Sequence, residues 1–281
     1  MSIILLNDIE SLREWRSQHQ QIAFVPTMGS LHEGHLSLIR AAKQYASQVL
    51  ISIFINPTQF NDTEDFERYP RTLSHDLTLA TQAGADACFA PTVHDIYPPN
   101  HQTSVHIGSL AEGLCGRHRP GHFTGVCTVV SALLLITQCD YALFGEKDYQ
   151  QLAIIRQMVK DLHFPVKIIG LPTARAIDGL ALSSRNIRLN KEDRQKAPLI
   201  YQSLCEIQEH FQKGGRDTQK LLSVARRQLD PIGKIDYLTI VDPDTLMARD
   251  SILPNRSSLC AVAITIGGVR LIDNLMLTPS N

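Results

Sequence analysis

The stretch "QIAFVPTMGSLHEGHLSLIR", residues 21–40, decides the fold, because an apolar strand passes directly into a helix through a glycine-containing turn. Its first part, residues 21–27, predicts a buried strand. Residues 34–46 then have the pattern of a helix. A strand that feeds straight into a helix favours an α/β fold.

The same alternation continues towards residue 172. A β-branched run at residues 48–56 is typical of a buried parallel strand. We predict Gly84 as the end of one helix and Asp148 as the cap of another. The apolar face of that second helix carries Leu152, Ile155, Val159 and Leu162. Further strands are predicted at 86–91, 141–145 and 165–172, and helices at 72–83, 123–138 and 148–162. This series indicates a doubly wound parallel sheet.

The pattern changes after the segment "SSRN", residues 183–186. Two consecutive helices are followed by three strands with no helix between them, which indicates a smaller α+β domain. The helices are predicted at 190–213 and 218–229, and the strands at 235–242, 257–266 and 269–277. Asp178-Gly179 provides a turn signal between the two patterns. We therefore predict one domain at 1–176 and a second at 177–281.

Composition and charge argue against several classes of protein. The formal net charge is −1 with 20% charged residues, so nothing favours nucleic acid or a membrane as the main partner. No apolar stretch approaches the roughly 20 residues of a spanning helix. The opening "MSIILLND" is too short and too acidic for a signal peptide. Six scattered cysteines without a CxxC pair indicate reduced thiols, as expected in the cytoplasm.

Two histidines, His32 and His35, begin the helix that follows the first predicted strand. They could be satisfied polar residues of a loop. Their spacing also resembles a metal pair, but no third ligand is apparent nearby. Gly29 and Gly34 would let a ligand approach the backbone closely, and a helix N-terminus attracts anions. Because ligands of α/β sheets sit beyond the carboxyl ends of the strands, we favour a phosphate group here.

A family resemblance rests on these residues and on segments along nearly the whole chain. "HEGH" looks like the HxGH signature of the nucleotidyltransferase superfamily, which class I aminoacyl-tRNA synthetases share. The wider string "FVPTMGSLHEGHLSLI" resembles the pantoate–β-alanine ligase family. Five further segments agree in order: "FINPTQF" (54–60), "RPGHFTGVCTVV" (119–130), "FGEKDYQQL" (144–152), "DGLALSSRN" (178–186) and "RLIDN" (270–274).

The resemblance implies a Rossmann-like N-terminal domain, a C-terminal lid domain and a two-step ligation. Pantoate would attack the α-phosphorus of ATP to give pantoyl adenylate and pyrophosphate. The amine of β-alanine would then displace AMP and form pantothenate. The implied substrates are ATP with its Mg²⁺, pantoate and β-alanine. The resemblance also implies a homodimer joined through the N-terminal domains, whereas the magnesium ligands cannot be read from the chain.

Four catalytic residues are implied by the matching motifs: His32, His35, Lys147 and Arg185. His35 matches the family's proton donor, and Lys147 and Arg185 would hold the triphosphate. Ala174 stands where the family commonly has a valine against adenine. The full implied ATP site is Met28, Gly29, Ser30, Leu31, His32, Glu33, Gly34, His35, Gly145, Glu146, Lys147, Asp148, Ala174, Leu182, Ser183, Ser184 and Arg185.

The two acid substrates are assigned to amide side chains. Gln59 and Gln151 are the pantoate candidates, since amides bind hydroxyls and carboxylates without burying another charge. Gln150 is expected to point about 100° away from Gln151, as helix geometry requires. Asn56 and Arg119 are expected to line the same pocket. His122 is expected to be structural.

Two other functions remain open at this stage. Another nucleotidyltransferase with the HxGH site could act on a different small acid, but it would lack "FINPTQF" and "YQQL". A non-catalytic nucleotide-binding protein would show damage at His35, Lys147 or Arg185, and all three are intact. We therefore predict an active ligase.

Overall fold

A six-stranded parallel sheet forms the N-terminal part of the molecule. The computed structural model describes residues 3–279. The strand order of this sheet is β1-β4-β3-β2-β5-β6. The strands are β1 (Ile4–Leu6), β2 (Ile22–Thr27), β3 (Gln48–Ile53), β4 (Ala87–Phe89), β5 (Tyr141–Gly145) and β6 (Lys167–Leu171). The predicted doubly wound parallel sheet is confirmed.

Helices cover both faces of this sheet. They are α1 (Ile9–Ser17), α2 (Glu33–Ala42), α3 (Thr63–Glu67), α4 (Leu73–Ala83), α5 (Val93–Ile96), α6 (Leu114–His118), α7 (His122–Thr137) and α8 (Tyr149–Asp161). Alternate residues of β2 enter opposite cores: Phe24 packs with α1, α7 and α8, and Val25 packs with α2 and α4. This arrangement explains why β2 is an almost continuous apolar run.

The order of the strands sets the position of the ligand crevice. From β2 the chain proceeds outward to β3 and β4 on one side, whereas β5 and β6 lie on the other side. The loops that follow β2 and β5 therefore leave the sheet in opposite directions. A crevice opens at such a switch point, beyond the carboxyl ends of the strands. The segments after Thr27 and after Gly145 border this crevice.

Three details of the N-terminal domain differ from the sequence prediction. Strand β1 and helix α1 were not predicted, so the histidines follow the second strand of the chain rather than the first. A strand of three residues, two exposed and one buried, is too short to show a periodicity, and the first two residues of "MSIILLND" lie outside the described range. Asp148 stands at the start of α8, but its side chain makes no capping hydrogen bond. Leu162 lies beyond α8 and is 52% exposed, because the helix ends at Asp161. By contrast, Gly84 ends α4 with φ +97°, as predicted.

The C-terminal part is the predicted α+β arrangement. Strands β7 (Lys234–Val241), β8 (Ser258–Ile266) and β9 (Val269–Leu277) form an antiparallel sheet in the order β7-β8-β9. They follow helices α9 (Lys191–Lys196), α10 (Leu199–Gln212) and α11 (Thr218–Leu229). Leu204 and Ile207 of α10 and Leu221 of α11 share a core with Val262 and Ile264 of β8. The exact boundary at 176/177 stays a prediction, and it falls between β6 and α9.

The described cysteines are free thiols, and five of the six are buried. Burial raises the pKa of Cys88 and Cys139 to about 12, so these thiols stay protonated in the core. Within residues 3–279, no helix combines the length and the apolar character needed to cross a membrane.

Candidate functional site

The two histidines form the N-terminus of α2. His32 is the N-cap residue, and its Nδ1 accepts a hydrogen bond from the Gly34 N–H at 3.2 Å. The His32 N–H in turn donates to Nδ1 of His35 at 3.3 Å. The ring centroids lie 4.1 Å apart. A Cβ at position 34 would lie 2.9 Å from His32 Cε1, so the glycine of HxGH is required by this ring.

These hydrogen bonds fix the tautomer of both rings. Since a backbone N–H can only donate, each Nδ1 is unprotonated and each Nε2 carries the hydrogen. Burial and the Lys147 charge lower the pKa of His32 to about 4. Burial, His32 and Lys147 lower the pKa of His35 to about 3. Near neutral pH the pair is therefore uncharged and presents two Nε2–H donors.

A buried carboxylate holds the turn between β2 and α2. Gly29 and Ser30 have positive φ angles of 81° and 52°. The N–H groups of Ser30 and Leu31 donate to Asp76 of α4 at 2.9 and 2.8 Å. Thr72 Oγ1 donates to the same carboxylate at 3.0 Å. The turn is therefore fixed before any ligand binds.

The turn after β5 brings Lys147 and Asp148 to the same crevice. Residues Glu146–Asp148 form a short 3₁₀ turn that leads into α8. Asn274 of β9 donates from its side chain to the carbonyls of Glu146 and Lys147, both at 2.9 Å. The C-terminal domain therefore braces the backbone from which Lys147 extends.

The segment "LSSR" faces the crevice from the C-terminal side. The Arg185 N–H donates to Ser183 Oγ at 3.3 Å. The Arg185 guanidinium pairs with Asp65 of α3 at 3.0 Å, and Arg188 pairs with the same carboxylate at 2.7 Å. Burial opposes ionisation of Asp65, but the Arg188 hydrogen bond and the Arg185 charge hold its pKa below the ordinary value. Arg185 therefore already has an anionic partner in this structure.

The polar side chains after β3 form a connected set. Asn56 is 1% exposed and donates from Nδ2 to Gln59 Oε1 at 2.9 Å. Gln59 Nε2 donates to Met28 Sδ at 3.1 Å. Gly125 of α7 approaches this turn so closely that a Cβ would lie 2.4 Å from the Thr58 carbonyl oxygen. Close packing of α7 thus fixes the side chains of Asn56 and Gln59.

Arg119 and His122 complete the polar wall. His122 Nδ1 donates to the Gln59 carbonyl at 2.7 Å, so its Nε2 accepts from Arg119 at 3.0 Å. A second Arg119 nitrogen donates to the same Gln59 carbonyl at 3.2 Å. Burial and the Arg119 charge lower the pKa of His122 to about 4. His122 is therefore a neutral group that holds Arg119, and the structural role expected for it stays a prediction.

The two neighbouring glutamines of α8 are used differently. The Gln150 amide is engaged with backbone groups of residues 110–115, including the Cys115 N–H at 2.9 Å. Gln151 makes no such contact and lines both cavities described below.

Two cavities adjoin in the crevice. The histidine cavity, about 260 Å³, contains His32 and His35, and the interdomain cavity, about 420 Å³, lies between the domains. Seven residues line both: Arg119, His122, Lys147, Asp148, Gln151, Ser183 and Arg185. The histidine cavity brings together these of the predicted residues: Met28, His32, Gly34, His35, Asn56, Gln59, Arg119, Gly145, Lys147, Asp148, Gln151, Ala174, Leu182, Ser183, Ser184 and Arg185.

Five predicted residues do not line the histidine cavity. Gly29, Ser30 and Leu31 belong to the turn that Asp76 holds. The Glu33 side chain pairs with Arg40 on the outer face of α2. Glu146 contributes a carbonyl to the contact with Asn274. Their assignment to ATP stays a prediction. No group of three or more His, Cys, Asp or Glu side chains arranged to hold a metal ion was found among residues 3–279.

Comparison with known proteins identifies the family. The family profile described as pantoate-beta-alanine ligase matches residues 4–276. The chain belongs to the pantoate–β-alanine ligase family. Pantothenate synthetase from Pseudomonas paraeruginosa is 47% identical over 280 residues, which cover 96% of this chain and 98% of that protein. Pantothenate synthetase from Pseudomonas fluorescens is 48% identical over 282 residues, covering 97% and 98%.

Solved structures of the ligase family have the same fold. Pantothenate synthetase from Thermus thermophilus matches with a TM-score of 0.92 and 42% identity, covering 99% of this chain and all of that one. The ligase from Francisella tularensis matches with a TM-score of 0.80 and 36% identity over 98% of each chain. That structure is described as a complex with β-γ ATP and β-alanine.

Sequence reasoning missed several residues that shape this ligase site. Asp65 lies among other carboxylates in α3, and Asp76 is the only carboxylate of α4, but no local pattern marks either of them as part of a site. Tyr69, whose hydroxyl lies 3.5 Å from Ser184 Oγ, was also missed. Asn274 belongs to the matched segment "RLIDN", so a signal existed, but its contact with the turn after β5 depends on the tertiary fold.

Proposed function

We propose that this chain joins pantoate and β-alanine in two steps at the expense of ATP. The carboxylate of pantoate attacks the α-phosphorus of ATP, and the bond to pyrophosphate breaks. The amine of β-alanine then attacks the acyl carbon, the bond to AMP breaks, and one proton is released. The observation that supports this most strongly is the pair of neutral imidazoles in one cavity with Lys147, Arg185, Gln59 and Gln151.

In the first step, we assign the α-phosphate to His32 and His35. Negative charge grows on the phosphate oxygens and on the leaving pyrophosphate, so fixed donors aimed at them lower the barrier. The two Nε2–H groups are such donors, and the N-terminus of α2 adds its positive dipole end. Because the pKa of His35 is about 3, we assign it a hydrogen bond to the phosphate rather than transfer of a proton.

Lys147 and Arg185 are assigned to the phosphates that leave. Arg185 offers a bidentate fork, and Lys147 offers a point charge. Mg²⁺ enters as part of the nucleotide substrate, with phosphate oxygens among its ligands. For Arg185 to bind phosphate, its ion pair with Asp65 must be exchanged for one with the nucleotide.

Gln59 and Gln151 are assigned to pantoate. Amides can bind a carboxylate and a hydroxyl together without lowering the nucleophilicity of the carboxylate as a guanidinium would. Gln59 is held by Asn56, which favours a single orientation. The acyl adenylate formed here is sensitive to water, which gives a reason for a covering domain. We assign this role to residues 177–281.

The activity is tested by product analysis. AMP and pantothenate should form only when ATP, pantoate and β-alanine are all present. Pyrophosphate should form in the presence of ATP and pantoate alone, once per site in a single turnover. Equal pyrophosphate release with an unrelated small carboxylic acid would favour another nucleotidyltransferase of the HxGH superfamily and would overturn the proposal.

We also propose a cytoplasmic location, from the cysteine pattern, and a homodimer joined through the N-terminal domains, from the family resemblance. The free, mostly buried thiols support a reducing compartment. Light scattering coupled to size exclusion should give a mass near twice the chain's 31.3 kDa. A monomer mass at working enzyme concentration would rule out the dimer, and a secreted product in a cell fractionation would rule out the location.

A further inference from the structure

Arg119 differs from the other arginines around the two cavities. Arg68, Arg185, Arg188 and Arg270 each pair with an aspartate or glutamate. Arg119 has no carboxylate within ion-pair distance among residues 3–279, although it lines both cavities. Its two hydrogen bonds go to uncharged groups, His122 Nε2 and the Gln59 carbonyl. This guanidinium therefore has no carboxylate in direct contact, although the charge of Asp148, which lines the same cavities, also acts on it.

The surroundings of Arg119 favour an anion. Burial and the positive charges of Arg185 and Arg270 lower the pKa of Arg119 from the ordinary value, and Cys115 and Asp148 offset only part of this shift. A bound carboxylate would relieve this, because an opposite charge stabilises a buried ion. The guanidinium carries five N–H donors in a planar fork, and only two make hydrogen bonds with the protein. The remaining N–H groups are enough for a bidentate contact with one carboxylate.

The three substrates place different demands on the site. The phosphates of ATP have Lys147, Arg185 and the N-terminus of α2. The pantoate carboxylate must act as a nucleophile, so a guanidinium fork would weaken its attack. β-Alanine carries a carboxylate that takes no part in the reaction and persists unchanged in the product. Of these groups, the β-alanine carboxylate gains most from a fixed cation.

We propose that Arg119 binds the carboxylate of β-alanine and thereby aims its amine at the acyl adenylate. The proposal rests on the function proposed above. The hydrogen bond from Arg119 to the Gln59 carbonyl holds the guanidinium beside Gln59, one of the two side chains assigned to pantoate. The two methylene groups of β-alanine then separate its anchored end from its reacting end. His122 is the positioning residue, because its acceptor nitrogen orients the guanidinium.

Measuring the two half-reactions separately tests this assignment. We expect Arg119→Met to lower kcat/KM for β-alanine by roughly 10²-fold, the order seen when one partner of a buried charge pair is removed. Pantoate-dependent exchange of labelled pyrophosphate into ATP reports the first step alone, and we expect it to fall by less than about fivefold. Propylamine, which lacks the carboxylate, should react equally slowly with both proteins.

The matched control is Arg117→Met, which removes an exposed arginine from helix α6, two positions before Arg119. It should leave both half-reactions unchanged. Arg119→Lys keeps the charge but loses the planar fork of N–H donors. Its kcat/KM for β-alanine should therefore lie between the values of the parent and of Arg119→Met. If Arg119→Met does not fold, Arg119→Lys alone tests the assignment of Arg119 to β-alanine. A pH profile of the β-alanine step should keep its shape in these variants, because the amine and not Arg119 titrates.

Two outcomes would overturn the assignment. One is a loss of pyrophosphate exchange as large as the loss with β-alanine, which would move Arg119 to pantoate or ATP. The other is an unchanged preference of Arg119→Met for β-alanine over propylamine. Failure of the proposed function itself looks different: the parent protein would show no pantoate-dependent exchange at all.

Discussion

The two sides of the crevice are prepared for a nucleotide to different degrees. On the α2 side, His32 and His35 are already oriented by backbone N–H groups, and Asp76 holds the preceding turn. On the opposite side, Arg185 is paired with Asp65. A preorganised donor costs no rearrangement when the transition state forms, whereas a paired cation must first exchange partners. The first side is therefore suited to chemistry, and the second to binding and closure.

Removing a preorganised donor should have the largest effect. We expect His35→Ala to slow adenylation by about 10²–10³-fold, the usual result of deleting one fixed donor to a developing charge. Quenched-flow measurement of pyrophosphate formation with ATP and pantoate provides the rate. His75→Ala, which removes an exposed histidine from α4, is the control. A His35→Ala rate that matches the parent would remove the distinction between the two sides.

The contribution of Asp76 to the α2 side should be measurable in the free energy of unfolding. Asp76 accepts hydrogen bonds from the Ser30 and Leu31 N–H groups and from Thr72, and it is fully buried. Asp76→Ala would leave buried donors without a partner, so we expect the free energy of unfolding to fall by about 2–4 kcal/mol. Urea denaturation measures this change. Asp76→Asn keeps one acceptor oxygen, so its free energy of unfolding should fall by less. An equal decrease in both variants would show that these hydrogen bonds do not stabilise the turn.

This contrast also separates what sequence could and could not predict. The alternation of apolar runs and helices predicts the central sheet, since β2 and β3 are buried on both faces and therefore continuous. The motif residues His32 and His35 could be selected because their spacing and setting are local. Asp65 and Asp76 could not be selected, because each acts across 45 or more positions of the chain. The short edge strand β1 was missed because its pairing partner, not its own pattern, makes it a strand.

A smaller effect is expected on the binding side. Asp65→Asn removes the internal anion with which the nucleotide competes for Arg185. Since partly exposed ion pairs contribute up to about 1 kcal/mol, we expect KM for ATP to decrease by about two- to fivefold. Initial rates at varied ATP measure this, and Glu67→Gln on the same helix is the control. An increase in KM would mean that Asp65 helps to orient Arg185 instead of competing with the substrate.

The smallest expected effect is the pH dependence of adenylation, and its size distinguishes hydrogen bonding from proton transfer. The pKa values of about 4 for His32 and about 3 for His35 lie below the ordinary 6.5. Both rings therefore stay neutral between pH 5.5 and 8, and we expect the pantoate-dependent exchange rate to change by less than about twofold from these groups. A marked inflection near pH 6.5 would show that a histidine titrates in this range, as a proton donor must, and would contradict the neutral pair.

Stability should respond to pH in the same region where the adenylation rate does not. Between pH 6.5 and about 4, the histidines of the unfolded chain become protonated, whereas His32 and His35 stay neutral in the folded protein because their pKa values are lower. The free energy of unfolding therefore decreases as pH falls through this range and is fully retained above it. Urea titrations at pH 7.5 and 5 measure the difference. His35→Gln keeps an amide donor but cannot be protonated in this pH range, so the free energy of unfolding should change less with pH. An unchanged pH dependence would show that His35 does not cause it.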